Sequence, residues 1–410
     1  MKILFVSGLY SRGSEELLNK MSCNRIQNAP NVFQWSIVSG MVENNCDFEV
    51  VSFPFLPSYP LKYKRLHTPD MPIVYNGRQI GRMIGYCALA GYKYLSIERK
   101  LSSYIENWIQ CNKDMHSQLV VLTYTPHFAY INAINRAVKK CAYTKITVGS
   151  IITDLVDDML NFVANRGPLK RIQCYIEKIL TKKAYKHIDK FILLAKSMEE
   201  KIPESIGANI VVEGLAIPNA YKSKENVNRR DVIFLYTGSL DEFTCVKDLV
   251  DAFMMTTSHR YRLVICGDGA LNSYVLQMSK KDERIKYLGI VSRDKSVALQ
   301  QQATCLVNPR KPNGAITKYS FPSKTMEYMV SGTPMIGYRL EGVPSEYYEH
   351  MYIPSDMSNE SLAQIMEYVA GLDQSILNDK ANKANEFIEC NKTAQKQVDK
   401  IIRFMQDSAD

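Results

Sequence analysis

The chain has 410 residues, 46% of them apolar and 23% charged, with only 20 Gly and 16 Pro. This composition is close to the globular average and excludes disordered, collagen-like and coiled-coil chains, and the length predicts two or three domains. The net charge of +9 lies entirely in residues 1–215, which hold 27 Lys and Arg against 18 Asp and Glu, while the remainder holds 24 of each. We therefore expect two parts of the chain with different partners.

Ten cysteines are scattered along the chain, and no two have the spacing of a CxxC pair. Most lie in apolar runs, where a reduced Cys acts as a small hydrophobic residue, so we expect a reducing compartment with neither a disulfide framework nor a metal site. The apolar residues 1–8 are too few for a signal peptide, and residues 83–92 fall short of the ~20 needed to cross a bilayer. These patterns predict a soluble, cytoplasmic protein.

Short β-branched runs alternate with helical stretches along the whole chain. We predict strands at 2–6, 48–53, 119–124, 145–150, 190–195 and 209–214, and then at 232–238, 261–267, 285–289, 304–308 and 334–338. Their hydrophobicity is continuous rather than alternating, which is typical of parallel strands covered on both faces. The fold class is therefore α/β, with two doubly wound domains.

The domain boundaries follow from composition. We expect a first domain at 1–215, a polar linker at 216–231 and a second domain at 232–390. The residues from 360 to 405 are helical in composition, and the helix at 391–410 is expected to complete the first domain.

The loop after the strand at 304–308 is the most informative segment. It carries the cations Arg310, Lys311 and Lys318, and we expect a helix to start at Pro322 and Ser323, with the Ser323 hydroxyl as N-cap and a fourth cation, Lys324, directly after it. The free N–H groups of a helix start beside a lysine form a site for a diphosphate.

Glu327 lies one turn further into that helix, where a carboxylate facing a ligand suits the hydroxyls of a ribose or a sugar. The structural alternative is that Ser323 only caps the helix and Glu327 only complements its dipole.

The segment FPSKTMEYMVSGTPMI at 321–336 resembles the signature helix of glycosyltransferase family 4, retaining enzymes of the GT-B fold. Similar blocks lie at 236–253, 264–269, 287–295 and 306–310, and weaker ones at 2–8, 148–159 and 193–202. The resemblance implies two doubly wound Rossmann-like domains with parallel sheets facing a central cleft. It also implies that the first domain binds an acceptor and the second a nucleotide-sugar, without a metal or other cofactor.

The resemblance also implies roles for individual residues. Catalytic positions are Arg310, Lys324 and Glu327. Donor contacts are expected at Gly8, Gly238, Ser239, Thr244, Lys247, Gly267, Val291, Arg293, Tyr319, Phe321, Pro322 and Ser323. Arg293 either stacks on the base or is solvated.

Two departures from the family pattern concern charge. The family pattern has two Glu separated by seven residues; here Tyr319 stands at the first position and Glu327 at the second. The family also has Gly-Arg-Leu followed by Lys, where this chain has Gly238-Ser239-Leu240 followed by Thr244. A leaving diphosphate needs positive charge from elsewhere. Among the cations of the loop and Lys247, we favour Arg310, whose planar fork suits phosphate, and Lys324, at the helix start.

Two residues of the first half are acceptor candidates. His127 follows a strand end, with a structural role at a helix start as the alternative. Asp154 lies in a segment where the family places acceptor contacts. Metal binding by the neighbouring Asp157 and Asp158 is not expected, because adjacent carboxylates diverge.

The basic stretch 168–186 is amphipathic, with apolar residues at helical spacing: Ile172, Tyr175, Ile176, Ile179, Leu180 and Ala184. One interpretation is a packed helix with a solvated basic face. The other is docking on an anionic membrane surface, which a lipid-linked acceptor would require. No nucleic-acid-binding pattern is present.

The sequence is therefore interpreted as a retaining, metal-independent glycosyltransferase. It would move a sugar from a UDP- or GDP-linked donor to a saccharide acceptor, lipid-linked, in surface polysaccharide synthesis at the inner face of the cytoplasmic membrane. The alternatives are a nucleotide-sugar epimerase or hydrolase on the same fold, and a non-catalytic nucleotide-sugar-binding protein.

Overall fold

The computed structural model describes residues 1–23, 26, 29–116, 118–155, 167–216, 231–312 and 314–407. The chain divides into two compact units. Unit 1 comprises Met1–Leu215 with Ala394–Asp410, and unit 2 comprises Ala216–Thr393. Apart from residues 216 and 231, the expected linker lies outside the described residues.

Unit 1 is built on one eight-stranded sheet. Its strands are β1 (Lys2–Ser7), β2 (Phe48–Ser52), β3 (Met71–Tyr75), β4 (Arg78–Met83), β5 (Leu119–Thr123), β6 (Ile146–Ile152), β7 (Lys190–Leu193) and β8 (Asn209–Val211), in the order β3-β4-β2-β1-β5-β6-β7-β8. Its helices before unit 2 are α1 (Arg12–Met21), α2 (Ala29–Glu43), α3 (Lys93–Asn112), α4 (Phe128–Cys141) and α5 (Pro168–Ala184). All neighbouring strands are parallel except β3 and β4.

The antiparallel pair β3–β4 was not predicted. Its strands are joined by Asn76 and Gly77, which both have positive φ, 49° and 78°. Asn-Gly is the preferred pair for a two-residue hairpin turn that needs positive φ at both positions. This dipeptide between Val74-Tyr75 and Arg78 was the signal for the hairpin, which extends the edge of the sheet.

Unit 2 is built on a five-stranded parallel sheet. Its strands are β9 (Val232–Thr237), β10 (Tyr261–Cys266), β11 (Ile285–Tyr287), β12 (Cys305–Asn308) and β13 (Met335–Gly337), in the order β11-β10-β9-β12-β13. Its helices are α6 (Val246–Met255), α7 (Asn272–Lys281), α8 (Arg293–Gln302), α9 (Ala315–Lys318), α10 (Ser323–Val330), α11 (Asn359–Ala370) and α12 (Gln374–Asn391).

Both units confirm the doubly wound α/β fold. In each sheet the strand order reverses once, between β1 and β5 in unit 1 and between β9 and β12 in unit 2. Residues of these central strands, such as Phe5, Val121 and Leu306, are fully buried because helices cover both faces. Ligands of such sheets bind beyond the carboxyl ends of the strands at the reversal point, which directs attention to the loops after β9 and β12.

The last helix of the chain, α13 (Ala394–Gln406), belongs to unit 1. It buries Val398, Ile401 and Met405, and the Asn44 side-chain amide donates to the Gln395 carbonyl at 2.8 Å. Close packing against α2 depends on Gly40, where an added Cβ would lie 2.4 Å from the Ala394 carbonyl oxygen.

The variant Gly40→Ala should therefore destabilise unit 1 by about 1–3 kcal/mol, because the methyl group overpacks the contact between α2 and α13. The free energy of unfolding in urea measures this. Gly13→Ala is the matched control, since Gly13 lies in a helix with no atom within 4 Å of the added Cβ. Equal stability of the two variants would contradict the proposed contact.

Candidate functional site

Two glycines shape the carboxyl edge of the unit 2 sheet. Gly238 follows β9 and Gly267 follows β10, and the Gly238 N–H donates to the Cys266 carbonyl at 3.0 Å. Gly267 has a φ of +144°, and a Cβ there would lie 1.7 Å from the Gly238 carbonyl oxygen. Gly238 and Gly267 were both predicted to contact the nucleotide-sugar donor. In the structure they allow the backbones of two neighbouring loops to pack together, because neither has a side chain.

Helix α10 begins at this edge, but its cap differs from the prediction. Pro322 occupies the N-cap position, no side chain caps the helix, and Ser323 is its first helical residue and exposed. The prediction that the Ser323 hydroxyl caps the helix was therefore wrong. The first-turn N–H groups lack a side-chain cap, so this helix start keeps the polarity that favours an anion.

Lys324 and Glu327 form an ion pair on the first turns of α10. The Lys324 ammonium nitrogen lies 3.0 Å from Oε1 and 2.9 Å from Oε2 of Glu327. The two side chains are 30% and 37% exposed. An ion pair this accessible adds little to stability, and both groups remain within reach of a ligand.

A buried network lies behind the ion pair. Gln300, on α8, is fully buried and donates from Nε2 to Glu327 Oε1 at 2.7 Å and to Thr237 Oγ1 at 3.0 Å. The Tyr328 hydroxyl accepts from the Thr237 N–H at 2.9 Å, and burial raises the pKa of Tyr328 well above its ordinary value. The helix α10 is thereby tied to the last residue of β9, next to Gly238.

Arg310 follows β12 and lies half-buried beside α9 and α10. Its Nη2 donates to the Ser320 hydroxyl at 3.1 Å, and its guanidinium lies 5.9 Å from the ring centre of the exposed Phe243. Burial lowers the pKa of Arg310 and raises that of the neighbouring Tyr236 to about 12. A desolvated guanidinium interacts strongly with an anion that enters such a site.

The other cations of the loop have different surroundings. Lys311 is buried, with its ammonium 3.3 Å from Asp248. Lys318 lies 3.7 Å from Glu341, and Lys247 lies over the ring of Tyr274. A buried, paired lysine such as Lys311 cannot turn to a ligand without leaving its carboxylate unpaired.

The remaining donor candidates in unit 2 differ in accessibility. Ser239 is exposed, and its carbonyl accepts from the Tyr236 hydroxyl at 2.7 Å. Thr244 is buried, with its hydroxyl donating to the Asp241 carbonyl at 2.6 Å. The rings of Tyr319 and Phe321 are buried. Val291 is half-buried and Arg293 is exposed.

In unit 1, Gly8 and His127 follow the adjacent strands β1 and β5. The Gly8 N–H donates to the Gln34 amide oxygen at 2.6 Å, and a Cβ at Gly8 would lie 2.5 Å from the Phe55 ring. Because Gly8 has no side chain, the Phe55 ring can pack over the end of β1.

His127 is the N-cap residue of α4, as the structural interpretation expected. Its Nδ1 accepts from the Ala129 N–H at 3.2 Å, so the neutral ring carries its proton on Nε2, which is buried without a partner among the described residues. The rings of Tyr94 and Phe128 lie 4.5 and 4.6 Å away. Burial and the nearby Lys93 lower the pKa of His127 to about 3.

Asp154 is exposed at the end of β6. Desolvation raises its pKa above the ordinary value, and its charge contributes to the raised pKa of the buried Tyr124. His127 and Asp154 therefore both belong to the carboxyl edge of the unit 1 sheet. Asp157 and Asp158 lie outside the described residues, and no cluster of His, Cys, Asp or Glu suited to a metal occurs in the part of the chain that is described.

Gln300 was missed by sequence reasoning. It lies in the run Gln300-Gln301-Gln302 at the end of α8, where nothing in the sequence separates a buried amide from its two neighbours. Phe243, below Arg310, was also missed, although it lies within the block 236–253 that resembles the family. The role of Gln300 becomes visible only from the packing of α8 and α10 against β9.

The depressed pKa of His127 predicts acid sensitivity of unit 1. Because the unfolded chain, with a pKa near 6.5, binds the proton more tightly than the fold, stability should fall by up to about 1.4 kcal/mol per pH unit as the pH drops below 6.5 toward 3. His127→Asn keeps a capping acceptor but removes the titration. Urea unfolding at pH 6.5 and 4.5 should show a smaller loss in this variant; an equal loss would contradict the assignment.

Comparisons with known proteins agree with this architecture. Residues 231–370 match the family model "Glycosyl transferases group 1". No curated protein matches the chain in sequence.

Three solved structures of the same fold illustrate the similarity. The lipopolysaccharide outer core galactosyltransferase WaaB is 15% identical over 99% of both chains, with a TM-score of 0.60. HepE from Anabaena, solved with UDP, is 11% identical over 98% of this chain and 99% of its own, with a TM-score of 0.61. A TarM variant from S. aureus, solved with fondaparinux, alpha-GlcNAc-glycerol and UDP, is 10% identical over 99% and 100%, with a TM-score of 0.60. The chain therefore has the GT-B fold of two Rossmann-like domains, and its unit 2 contains a segment similar to group 1 glycosyl transferases.

Proposed function

We propose that the protein transfers a sugar from a UDP- or GDP-linked donor to a hydroxyl of a saccharide acceptor, with retention of the anomeric configuration. The observation that carries this proposal is the accessible Lys324–Glu327 pair on the first turns of α10. It lies at the strand-order reversal of unit 2, within the segment 231–370 that matches group 1 glycosyl transferases. The ligands of HepE and TarM, which include UDP, support a nucleotide-linked donor.

The donor diphosphate is proposed to bind at the start of α10. The N–H groups of the first helical turn, Lys324 and Arg310 supply positive potential there, and Arg310 is already desolvated and supported by Ser320. These groups neutralise the leaving diphosphate, so the proposed reaction proceeds without a metal. Lys324 would exchange part of its contact with Glu327 for a phosphate oxygen.

Glu327 is proposed to accept hydrogen bonds from hydroxyls of the ribose or of the donor sugar. Its carboxylate is held by Lys324 and Gln300, which both donate to Oε1. Lys324 also donates to Oε2 at 2.9 Å. A carboxylate has about four acceptor sites, so the sites that Lys324 leaves on turning to a phosphate oxygen can accept from two neighbouring hydroxyls.

The proposed transfer takes place on one face of the sugar. The bond between the anomeric carbon and the diphosphate oxygen breaks, and the acceptor oxygen attacks the same face. The acceptor proton passes to the departing phosphate oxygen, so the reaction needs no separate base. Water must be kept from the donor, since it would compete with the acceptor.

The acceptor is proposed to bind to unit 1, at the carboxyl edge that carries His127 and Asp154. The Nε2–H of His127 is buried without a partner among the described residues, and desolvation raises the pKa of Asp154 above its ordinary value. Asp154 is the exposed member of the pair and therefore the first candidate for accepting from an acceptor hydroxyl.

We further propose that the acceptor is a lipid-linked saccharide of surface polysaccharide synthesis, and that the protein docks on the anionic inner face of the cytoplasmic membrane. The support is helix α5. Its side chains Ile172, Tyr175 and Ile176 are 50–56% exposed, and Ile179 is 38% exposed. Their spacing places all four on one face, while Thr181 and Ala184 on the opposite face are buried.

Of the two interpretations of this helix, a packed helix with only its basic face solvated does not account for these four exposed side chains. Arg171 and Lys183 are exposed on the same helix, and a cationic loop with exposed Leu61 and Leu66 lies in the same unit. Exposed apolar side chains among cations are the pattern of interfacial helices. None of the helices in the described part of the chain combines the length and apolarity needed to cross a bilayer.

Lys324→Ala and Glu327→Ala should each reduce sugar transfer on the order of 10²-fold with the fold intact, because each removes a contact to the donor. Lys280→Ala is the control, as its exposed lysine lies in the last turn of α7, at the opposite edge of the sheet. Transfer is measured with the sugar nucleotide that most raises the melting temperature in a panel of UDP- and GDP-sugars.

Unchanged transfer in both variants would remove the assignment of this site. Release of free sugar and nucleoside diphosphate without an acceptor would favour the hydrolase or epimerase alternative. Donor binding without turnover on any acceptor would favour a non-catalytic binding protein.

The double variant Ile172→Ser/Ile176→Ser should lose at least ~10-fold in binding to vesicles that contain phosphatidylglycerol, because each isoleucine gains about 1–2 kcal/mol on entering the lipid boundary. Ile206→Ser is the control, since Ile206 is 67% exposed elsewhere in unit 1. Co-sedimentation at two salt concentrations measures binding. Equal binding of the double variant and the control would contradict membrane docking by α5.

A further inference from the structure

Gln300 is an unusual residue for the centre of a domain. Its side chain is fully buried, and its Oε1 has no hydrogen-bond partner among the described residues. An amide with an unpaired oxygen destabilises a fold relative to an apolar side chain of similar volume. Packing alone therefore gives no reason for an amide at this position.

The amide nitrogen explains its presence. Nε2 donates to Glu327 Oε1 at 2.7 Å and to Thr237 Oγ1 at 3.0 Å, and Ser296 Oγ lies 3.4 Å away. A carboxylate only accepts, so the nitrogen must face Glu327. Gln300 thus connects α8, the last residue of β9 and the carboxylate on α10.

Gln300 contacts only one oxygen of the Glu327 carboxylate, Oε1, and does so from the buried side. Lys324 contacts both carboxylate oxygens from the accessible side and would move when a diphosphate binds, whereas Gln300 cannot move, because it is enclosed by the core. The rotation of Glu327 is therefore determined from the buried side.

We infer that Gln300 is a positioning residue that holds the Glu327 carboxylate directed at a pair of neighbouring hydroxyls on the nucleotide-sugar. This inference rests on the proposed function and deepens it. Glu327 would bind two neighbouring hydroxyls, a vicinal diol, and Gln300 would orient Glu327 for this without contacting the ligand. The diol belongs either to the ribose or to the donor sugar.

The test compares Gln300→Leu with wild type by calorimetry, using UDP, GDP and their 2′,3′-dideoxy analogues. Wild type should bind the better ribonucleotide about 10-fold more tightly than its dideoxy analogue. In Gln300→Leu this preference should fall to about 2-fold, while affinity for the dideoxy analogue and the melting temperature stay unchanged or rise. Gln302→Leu, the same change on an exposed position of α8, should keep the wild-type preference.

A second variant keeps the inference testable if leucine disturbs the core. Gln300→Glu places a carboxyl group against Glu327, Thr237 and Ser296, the groups that Gln300 contacts. Lys324 pairs with the same Glu327, and the Tyr328 hydroxyl contacts Thr237. When protonated the introduced carboxyl group donates as the amide does, and when ionised it repels Glu327. The variant's diol preference should therefore fall as the pH rises from 5.5 to 8.5, while that of wild type stays constant.

A second arm separates the two sources of the diol. If the preference for UDP-glucose over UDP, rather than for ribose over dideoxyribose, is lost in Gln300→Leu, the diol is that of the sugar and the inference stands. Wild-type values of both preferences in Gln300→Leu, or an equal loss of affinity for the ribonucleotide and its dideoxy analogue, would overturn it while leaving the proposed function intact. A wild-type protein that binds neither UDP nor GDP would overturn both.

Discussion

The adjacency of β9 and β12 is the constraint on which the candidate site depends. These strands are neighbours in the unit 2 sheet although two other strands, β10 and β11, and three helices separate them in sequence. Their carboxyl ends bring together the Gly238 loop, the cationic loop that carries Arg310, and the start of α10. The close approach of Gly238 and Gly267 leaves no room for a side chain at Gly267 on this edge.

Charge and burial are arranged asymmetrically around this edge. The Lys324–Glu327 pair is accessible and Arg310 is half-buried, whereas Lys311 is buried against Asp248 and Gln300 supports Glu327 from within the core. Glu327, which is proposed to bind the ligand, is thereby held in place by Gln300, which is buried and does not contact the ligand. This separation reduces the reorganisation that binding requires, because the carboxylate is already oriented before a ligand arrives.

Unit 1 shows a different balance between polar and apolar surface. Its carboxyl edge gathers aromatic rings around a neutral His127, and helix α5 exposes isoleucines next to cations. The excess positive charge of the chain lies in residues 1–215, in this same unit. Unit 2, by contrast, has no net excess of charge.

The sequence by itself determined the fold class, most strand positions and the segment 304–338, because continuous β-branched runs, helix starts and a loop rich in cations are local features. It also contained the Asn76-Gly77 signal of the hairpin that was overlooked. Only the tertiary structure decided that Pro322 rather than Ser323 caps α10, that Lys311 is paired, that Ile172 and Ile176 are exposed and that Gln300 contacts Glu327. These depend on contacts between residues distant in sequence, which identical residue types cannot reveal: Gln300 and Gln302 differ only in what packs against them.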